Sequence, residues 1–289
     1  MRDRHYLRLM RRARRGYTAQ TIQESTMVLM LAILLSVARP VDAVTVKLSS
    51  CGQTVSAGES ATLMRDLDCS PMSAEGGVIL QDGATVNMNG FTVRGMGDGF
   101  GILCGASSGG RASCRVNGPG SIEGFSVGIG GDRCRIVARG VLLEGNGYGV
   151  YAPNACDVKV ASINVLNSSF DGISGSRVRL RSSWIAYNGR HGVVAKRIVA
   201  RGLTATHNGE QGVLQSPLGR RFGRISHSSV IGNDGGYPSG VDIVGAGRLK
   251  LRQVRCRRSE RVRFVEEAGD ADGGNQGTVV VGSFGCGDD

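Results

Sequence analysis

The chain has 289 residues, of which 46 are glycine and only 5% are aromatic, and its formal net charge is +11. So much glycine favours a turn-rich all-β chain over a helical one, because glycine weakens helices. The scarcity of aromatic side chains argues against a protein that binds single-stranded nucleic acid by base stacking. The length and composition fit one elongated domain.

The first 43 residues differ in kind from the rest. Arginine-rich Met1–Arg15 is followed by an apolar run, Met27–Ala38, and then by Val41-Asp42-Ala43. This order predicts a secretory signal peptide, residues 1–43, cleaved after Ala43. The apolar run of 12 residues is too short to cross a bilayer comfortably, although an uncleaved anchor stays open. We therefore predict a secreted or periplasmic protein with no stable membrane span after cleavage, and a mature domain of residues 44–289.

A short phrase of asparagine and glycine returns four times in the middle of the chain. The phrases begin at Asn146, Asn167, Asn188 and Asn208, which are 21, 21 and 20 residues apart. Asparagine and glycine tolerate left-handed backbone angles, so each phrase predicts a sharp turn. Small or apolar residues then alternate with polar ones, which predicts short strands rather than helices. A repeat of this period indicates a solenoid.

Eight glycines, each followed by an aliphatic residue, mark eight coils of this solenoid. Such coils cannot bury their own inward side chains, so they must stack in register, which also aligns the asparagines. We expect the coils over about residues 76–264, flanked by caps at Cys51–Cys69 and Thr278–Phe284 that cover the open strand edges. The marking glycines are Gly77, Gly101, Gly128, Gly149, Gly172, Gly192, Gly212 and Gly240.

The rhythm Asn-Gly-x-x-Gly-Val, present at Asn188–Val193 and Asn208–Val213, resembles that of right-handed parallel β-helix repeat proteins. The resemblance to this group, the pectin-lyase-like superfamily, covers roughly residues 44–289. The resemblance implies an all-β fold, a right-handed parallel β-helix solenoid. The superfamily holds lyases, hydrolases, epimerases, adhesins and a periplasmic copper-associated family, so the fold does not define the chemistry.

All eight cysteines lie after the predicted signal peptide, which indicates an oxidising compartment and disulfides. Cys134 and Cys156 are 22 residues apart, about one coil, so stacking would bring them within disulfide reach. Pairing of sequence neighbours would also staple the two ends of the solenoid. Thiolate ligation of zinc or copper is disfavoured because no Cys-x-x-Cys motif occurs. The favoured pairs are Cys51 with Cys69, Cys104 with Cys114, Cys134 with Cys156, and Cys256 with Cys286.

Positive charge is concentrated in the middle and C-terminal coils, because residues 111–264 hold 24 Lys/Arg but only 9 Asp/Glu. Basic residues there alternate with apolar ones, which places them on one outer face of a strand. Stacked like charges repel unless an anion is bound, so this face predicts an acidic polysaccharide or cell-envelope glycan as partner, and no nucleic acid. A merely solvated basic exterior is the alternative. The candidate ligand-binding residues are Arg177, Arg179, Arg181, Arg201, Arg248, Lys250 and Arg252, with Arg220, Arg221 and Arg224 in a protruding loop.

A second candidate site lies at the turns that begin with Asn188 and Asn208. Aligning these turns places Tyr187 beside His207 and Arg190 beside Glu210, with His191 next to them. Elimination or epimerisation at a uronate needs a base, an acid and a cation, which Tyr187, His191 or His207, and Arg190 or Arg201 could supply. Ordinary solvated surface residues are the alternative. No cofactor is expected, and two histidines without a third ligand predict no metal site.

Carboxylates are isolated in this sequence rather than clustered. Asp157, Asp171, Asp234 and Asp242 lie far apart along the chain, so neither a hydrolase with paired carboxylates nor a calcium site is predicted. Three functions therefore remain: binding of acidic polysaccharide on an arginine-rich face, a uronate polysaccharide lyase or epimerase, and a non-catalytic structural or adhesive surface solenoid.

Overall fold

A computed structural model describes residues 45–69, 76–105, 110–216, 223–233, 242–256 and 259–264, with the side chains of 246–248 and 259–264 left out. These residues all belong to one compact unit, Val44–Asp289. Every regular element among them is a β-strand. In this part of the chain, no helix is long and apolar enough to cross a membrane.

The structure describes 21 strands. In chain order they are β1 (Thr45–Leu48), β2 (Gln53–Val55), β3 (Ser60–Leu63), β4 (Leu67–Asp68), β5 (Gly76–Leu80), β6 (Thr85–Asn87), β7 (Thr92–Arg94), β8 (Phe100–Cys104), β9 (Ala112–Asn117), β10 (Ser121–Glu123), β11 (Val127–Gly131), β12 (Cys134–Arg139), β13 (Leu142–Glu144), β14 (Tyr148–Ala161), β15 (Asn164–Leu166), β16 (Ile173–Ala186), β17 (Val193–Thr206), β18 (Val213–Gln215), β19 (Gly223–Ile231), β20 (Ile243–Cys256) and β21 (Ser259–Phe264).

The strands stack into three parallel ladders, which we name A, B and C in the order in which the chain passes through them. Ladder A includes β5, β8, β11 and the starts of β14, β16 and β17. Ladder B includes β9, β12 and the middles of the long strands, and ladder C includes β10, β13, β15 and the ends of β16 and β17. The result is a parallel β-solenoid of about eight turns within the described residues, which confirms the predicted solenoid.

The core runs through the middle of the solenoid because strand residues alternate between its inside and its outside. In β16, Val178 and Leu180 are buried while Arg179 and Arg181 are exposed. Parallel pairing already begins at Thr45, which pairs with Ser60. The segment Cys51–Cys69, expected as a cap, is therefore part of the stacked coils.

Buried asparagines form a column at the turn between ladders C and A. The backbone N–H and the amide Nδ2 of Asn188 donate to Oδ1 of Asn208 at 3.2 and 2.8 Å. Asn208 donates in the same two ways to Oδ1 of Asn233 at 3.2 and 2.6 Å, and Asn233 to Oδ1 of Asp242 at 2.9 and 3.0 Å. Each side-chain oxygen thus accepts hydrogen bonds from the turn of the preceding coil. The linked amides fix the stacking register.

At two of the predicted repeat positions, the structure places a different residue in the repeat from the one that the sequence predicted. Asn167 is exposed and lies outside the asparagine column, since Ser168 donates its N–H to Asn188 Oδ1 at 3.0 Å and occupies the aligned position. The phrase at Asn167 contains an extra residue, so the spacing predicted the aligned position one residue too early, at Asn167 instead of Ser168. Gly240 lies outside the described residues, and Asp242 takes the corresponding place beside Val213.

The glycines that mark the coils are required by the asparagine column. A Cβ atom on Gly172 would lie 2.8 Å from Nδ2 of Asn188, and one on Gly192 would lie 2.9 Å from Nδ2 of Asn208. A side chain at either glycine would displace the amide. Asparagine and glycine therefore recur together, because the asparagine amide of one coil lies where a side chain at the glycine of the preceding coil would be.

Three of the four predicted cysteine pairs are joined in the structure. The Cα–Cα distances are 5.6 Å for Cys51–Cys69, 5.8 Å for Cys104–Cys114 and 4.5 Å for Cys134–Cys156. The fourth predicted pair includes Cys286, which lies outside the described residues. So do the predicted signal peptide and the predicted strand Thr278–Phe284.

Candidate functional site

Basic side chains cover the outer surface of ladder B from β9 to β20. The parallel register arranges them in three columns that run along the solenoid, with buried apolar residues between the columns. Asp157 is the acidic residue among these outward positions. We call this surface the basic face; it consists of Arg115, Arg135, Arg139, Lys159, Arg177, Arg179, Arg181, Arg197, Arg201, Arg224, Lys250 and Arg252.

Several basic residues of this face are direct neighbours on adjacent strands. Arg177 pairs in register with Arg197, and Arg181 pairs in register with Arg201. Arg224 is likewise opposite Lys250. Like charges in such positions destabilise a sheet, so the arrangement concentrates positive potential at a cost in folding free energy.

Asp157 neutralises only the part of the basic face around it. Its carboxylate lies 2.8 Å from Arg177 Nε and 2.9 Å from Arg111 Nη2. The pKa of Lys159 is lowered by desolvation and then by repulsion from Arg135 and Arg179, whereas Asp157 acts in the opposite direction. Neighbouring positive charge therefore contributes to the lowered pKa of the lysine, although desolvation is the larger cause.

Other members of the face make no ion pair within the described part of the chain. Arg115, Arg179, Arg181, Arg201 and Arg224 belong to this group. All five side chains are exposed. Their guanidinium groups are therefore available to an external anion, and guanidinium suits carboxylate and sulfate because it can donate two parallel hydrogen bonds.

Most of the predicted ligand-binding residues lie on the basic face. They are all outward in ladder B: Arg177, Arg179, Arg181, Arg201, Arg224, Lys250 and Arg252. The prediction that Arg224 lies in a protruding loop is wrong, because this residue is part of strand β19. Arg248 directly precedes Leu249 of that ladder, but its side chain lies outside the described residues, as do Arg220 and Arg221.

Five members of the face were missed by the sequence reasoning. They are Arg115, Arg135, Arg139, Lys159 and Arg197. A weaker form of the alternation that identified Arg177 to Arg181 is present at Arg135 to Arg139, where Val137 takes the middle outward place. Extending it coil by coil would have found most of them.

The five side chains of the predicted reactive corner fall into two groups. The rings of Tyr187 and His207 stack with centroids 5.0 Å apart and an angle of 16° between their planes. Arg190, His191 and Glu210 form a separate cluster. Among the described residues, no hydrogen bond, ion pair or ring contact joins the two groups.

Glu210 is the centre of the second cluster. Its carboxylate lies 3.3 Å from Arg190 Nε and 3.1 Å from His191 Nε2. The backbone N–H of Gln211 donates to His191 Nδ1 at 3.4 Å, so the ring proton is on Nε2 and faces Glu210. Burial lowers the pKa of His191, although Asp171 and Glu210 oppose the shift. His191 is therefore a neutral, buried hydrogen-bond donor.

Asp171 and Tyr148 complete this cluster and were not among the predicted site residues. Asp171 accepts the backbone N–H of His191 at 3.3 Å, and burial raises the pKa of its carboxyl group. Burial, followed by the charge of Asp171, raises the pKa of Tyr148, whose ring stacks 5.0 Å from that of Phe170. The alignment on Asn167 hid Asp171, because the phrase there is one residue longer.

No group of three or more metal-ligating side chains occurs among the described residues. Comparisons with protein-family models, with curated proteins and with solved structures give no match. The class of the chain is therefore defined by its parallel β-solenoid, and its function has to be argued from its surfaces.

Proposed function

We propose that this protein binds a linear acidic polysaccharide along the basic face, without turning it over. The observation that carries the proposal is the register of the three basic columns on ladder B. They present cations along the axis of the solenoid at spacings of one or two strands, about 4.8 or 9.6 Å, because Val137, Ala161, Val199 and Ser226 take the intervening places. A polymer with regularly repeated anionic groups is the partner whose charges match such a surface.

The length of the face favours a polymer over a single small anion. One column runs from Arg115 to Lys250 and contains Lys159, Arg179 and Arg224, with Val137 and Val199 at the two remaining places. At about 4.8 Å per coil this column extends for roughly 29 Å. A small anion would neutralise one pair of arginines and leave the others to repel one another.

The partners of the corner residues favour binding on the basic face over catalysis at the corner. A uronate lyase or epimerase would need base, acid and cation around one sugar ring. Tyr187 and His207 form one group, whereas Arg190 and His191 are held by Glu210 in another. The catalytic alternative would require Arg190 and His191 to exchange their contacts with Glu210 for contacts with a substrate.

We also propose that the solenoid is a right-handed β-helix of the pectin-lyase-like class, made as a secreted or periplasmic protein. The passage of the chain through three parallel ladders and the asparagine column at one turn support the class. The disulfides support the compartment, and the arginine-rich start followed by an apolar run supports a signal peptide.

The binding proposal is tested with polygalacturonate and heparin as acidic probes and dextran as a neutral one. We expect binding of an acidic probe in 20 mM NaCl that weakens steeply towards 500 mM NaCl, because salt screens exposed charges. The double variant Arg179→Glu with Arg181→Glu should weaken binding by at least about tenfold, a coupling of the size seen for charge pairs at interfaces.

The matched control carries the same change of net charge in the early coils, as Lys47→Glu with Arg94→Glu. It should bind nearly as well as the unchanged protein. Failure to bind either acidic probe at low salt, or an equal loss in both double variants, would contradict the proposal.

A further inference from the structure

We propose a second, uncharged binding surface on ladder C, where Trp184, Tyr187 and His207 form a platform for the rings of neutral sugar units. Both the site and the ligand class differ from those of the basic face. The proposal does not depend on polyanion binding.

The platform is built from exposed aromatic side chains, which are rare in this chain. Tyr187 is 51% exposed and Trp184 is 38% exposed. Tyr187 and His207 stack in successive coils, and a hydrogen bond of 2.8 Å between His207 Nδ1 and Thr206 Oγ1 orients the imidazole. Because these two rings are stacked, each covers one face of the other, and a pyranose would have to bind on a remaining ring face. An electron-rich ring face attracts the polarised C–H groups on one side of a pyranose.

The backbone at Tyr187 and His207 shows that the fold does not require aromatic residues there. Both have left-handed backbone angles, with φ values of 57° and 54°. The aligned positions of neighbouring coils are Gly145, Asn167 and Gly232, all with positive φ. Glycine and asparagine adopt this conformation readily, whereas a large side chain is strained in it. Tyrosine is thus kept at a position where folding alone favours a smaller residue, and such outliers point to function.

The surroundings select an uncharged ligand with hydroxyl groups. Trp184 is in register with Asn164 on one side and Thr204 on the other. The exposed Asn167 lies in the coil before Tyr187. From Asn164 to Ile231, the outward residues of ladder C that the structure describes carry no charge. Charged residues flank this stretch: Glu144 accepts a hydrogen bond from Asn167 at 3.4 Å on one side, and Arg255 is in register with Ser229 on the other. Amides and hydroxyls beside aromatic faces match a neutral hexose rather than a uronate or a phosphate.

Trp184 provides the assay, because it is the one tryptophan of the chain. Its fluorescence is followed during titration with hexasaccharides of neutral β-glucan, α-glucan and mannan in 500 mM NaCl, where the basic face is screened. We expect a saturable change with at least one of the three. Tyr187→Asn should weaken that binding at least tenfold while the melting temperature stays the same or rises, since asparagine suits the backbone.

The control variant Met96→Asn alters an exposed apolar residue, 77% accessible, in an early coil and should bind as the unchanged protein does. The absence of a fluorescence change with all three oligosaccharides would overturn the proposal. A response to oligothymidylate alone would overturn it in favour of a base-stacking surface. A fall in melting temperature on Tyr187→Asn, with binding unchanged, would show that the tyrosine is structural.

Discussion

The early and late coils of ladder B have the same backbone arrangement but different outer surfaces. The column that begins with Thr45, Ser60 and Thr85 continues as Arg115, and later as Lys159, Arg179, Arg224 and Lys250. A second column begins with Lys47, Thr62, Asn87 and Asn117. It continues with Arg139, Arg181, Arg201 and Arg252, between which Ala161 and Ser226 take one place each. The parallel register is continuous across the change.

This difference shows that the fold does not need arginine on ladder B. In the early coils, Asn117 Nδ2 donates to Asn87 Oδ1 at 3.0 Å, so neighbouring coils attract each other. In the late coils, Arg181 and Arg201 occupy successive places in the same column and repel. Small polar residues suffice for stacking, and the arginines therefore point to a role outside folding.

The largest effect is expected at the turn between ladders C and A, where the early and late coils also differ. There the early coil places Phe125 where later coils place the asparagine column. Asn208→Ala would leave the N–H and Nδ2 of Asn188 and the carbonyl of Ile185 without their partner. Because each group is buried, we expect a loss of about 3 kcal/mol or more in the free energy of unfolding, measured with urea.

The matched control for this loss is Asn167→Gly. Asn167 is exposed and has a φ of 56°, which glycine also adopts, so a change below about 1 kcal/mol is expected. The sequence phrases are alike, so similar losses in the two variants would mean that the asparagine column is not what holds the late coils together.

The sequence predicted the solenoid well because its constraints are local and periodic. Turn residues such as Asn188 and Gly192 recur at the coil length, and strand alternation indicates which side chains are buried. The one-residue error at Asn167 has a physical cause: a turn absorbs an extra residue without disturbing the ladders. The sequence therefore predicts the period more reliably than the register.

An intermediate effect on stability is expected when arginines in the late part of the second column are replaced by asparagine, the residue found in its early part. The double variant Arg181→Asn with Arg201→Asn removes an in-register repulsion and allows the amide contact seen between Asn87 and Asn117. We expect the protein to become more stable by about 0.5–1 kcal/mol in urea at low salt. The gain should shrink at 500 mM NaCl, because screening already weakens the repulsion.

Arg177→Asn is the control for this gain, because Arg177 belongs to the same face but pairs with Asp157 at 2.8 Å. It should leave stability unchanged or lower it. If Arg181→Asn with Arg201→Asn also lowers stability at low salt, repulsion on the basic face is too weak to argue for a bound anion.

The candidate site was harder to predict than the fold because its members come from different coils and turns. Alignment of Asn188 with Asn208 correctly paired Tyr187 with His207 and Arg190 with Glu210. It could not show that the two pairs make no direct contact with each other, nor that His191 is buried, since both depend on side-chain directions at the turn. Asp171 is part of the cluster only because it stacks beside His191.

The smallest expected effect concerns His191, a turn residue of the late coils that has no histidine counterpart at Val127 or Tyr148 in the same column. Burial lowers its pKa in the folded protein, against the pull of Asp171 and Glu210 and with the help of Arg190. As the pH falls through about 6.5, the ordinary histidine value, the unfolded chain takes up a proton that the folded protein resists, so stability decreases.

His191→Gln removes this linkage while a side-chain amide remains to donate to Glu210. Between pH 7.5 and 5.5, the melting temperature of the unchanged protein should therefore fall more than that of the variant, by about 1–3 °C. Asp171, whose raised pKa makes acidification stabilising, is present in both proteins and does not create the difference by itself. Equal falls in the two proteins would mean that His191 is protonated as easily when folded as when unfolded, and that the late-coil turn tolerates the extra charge.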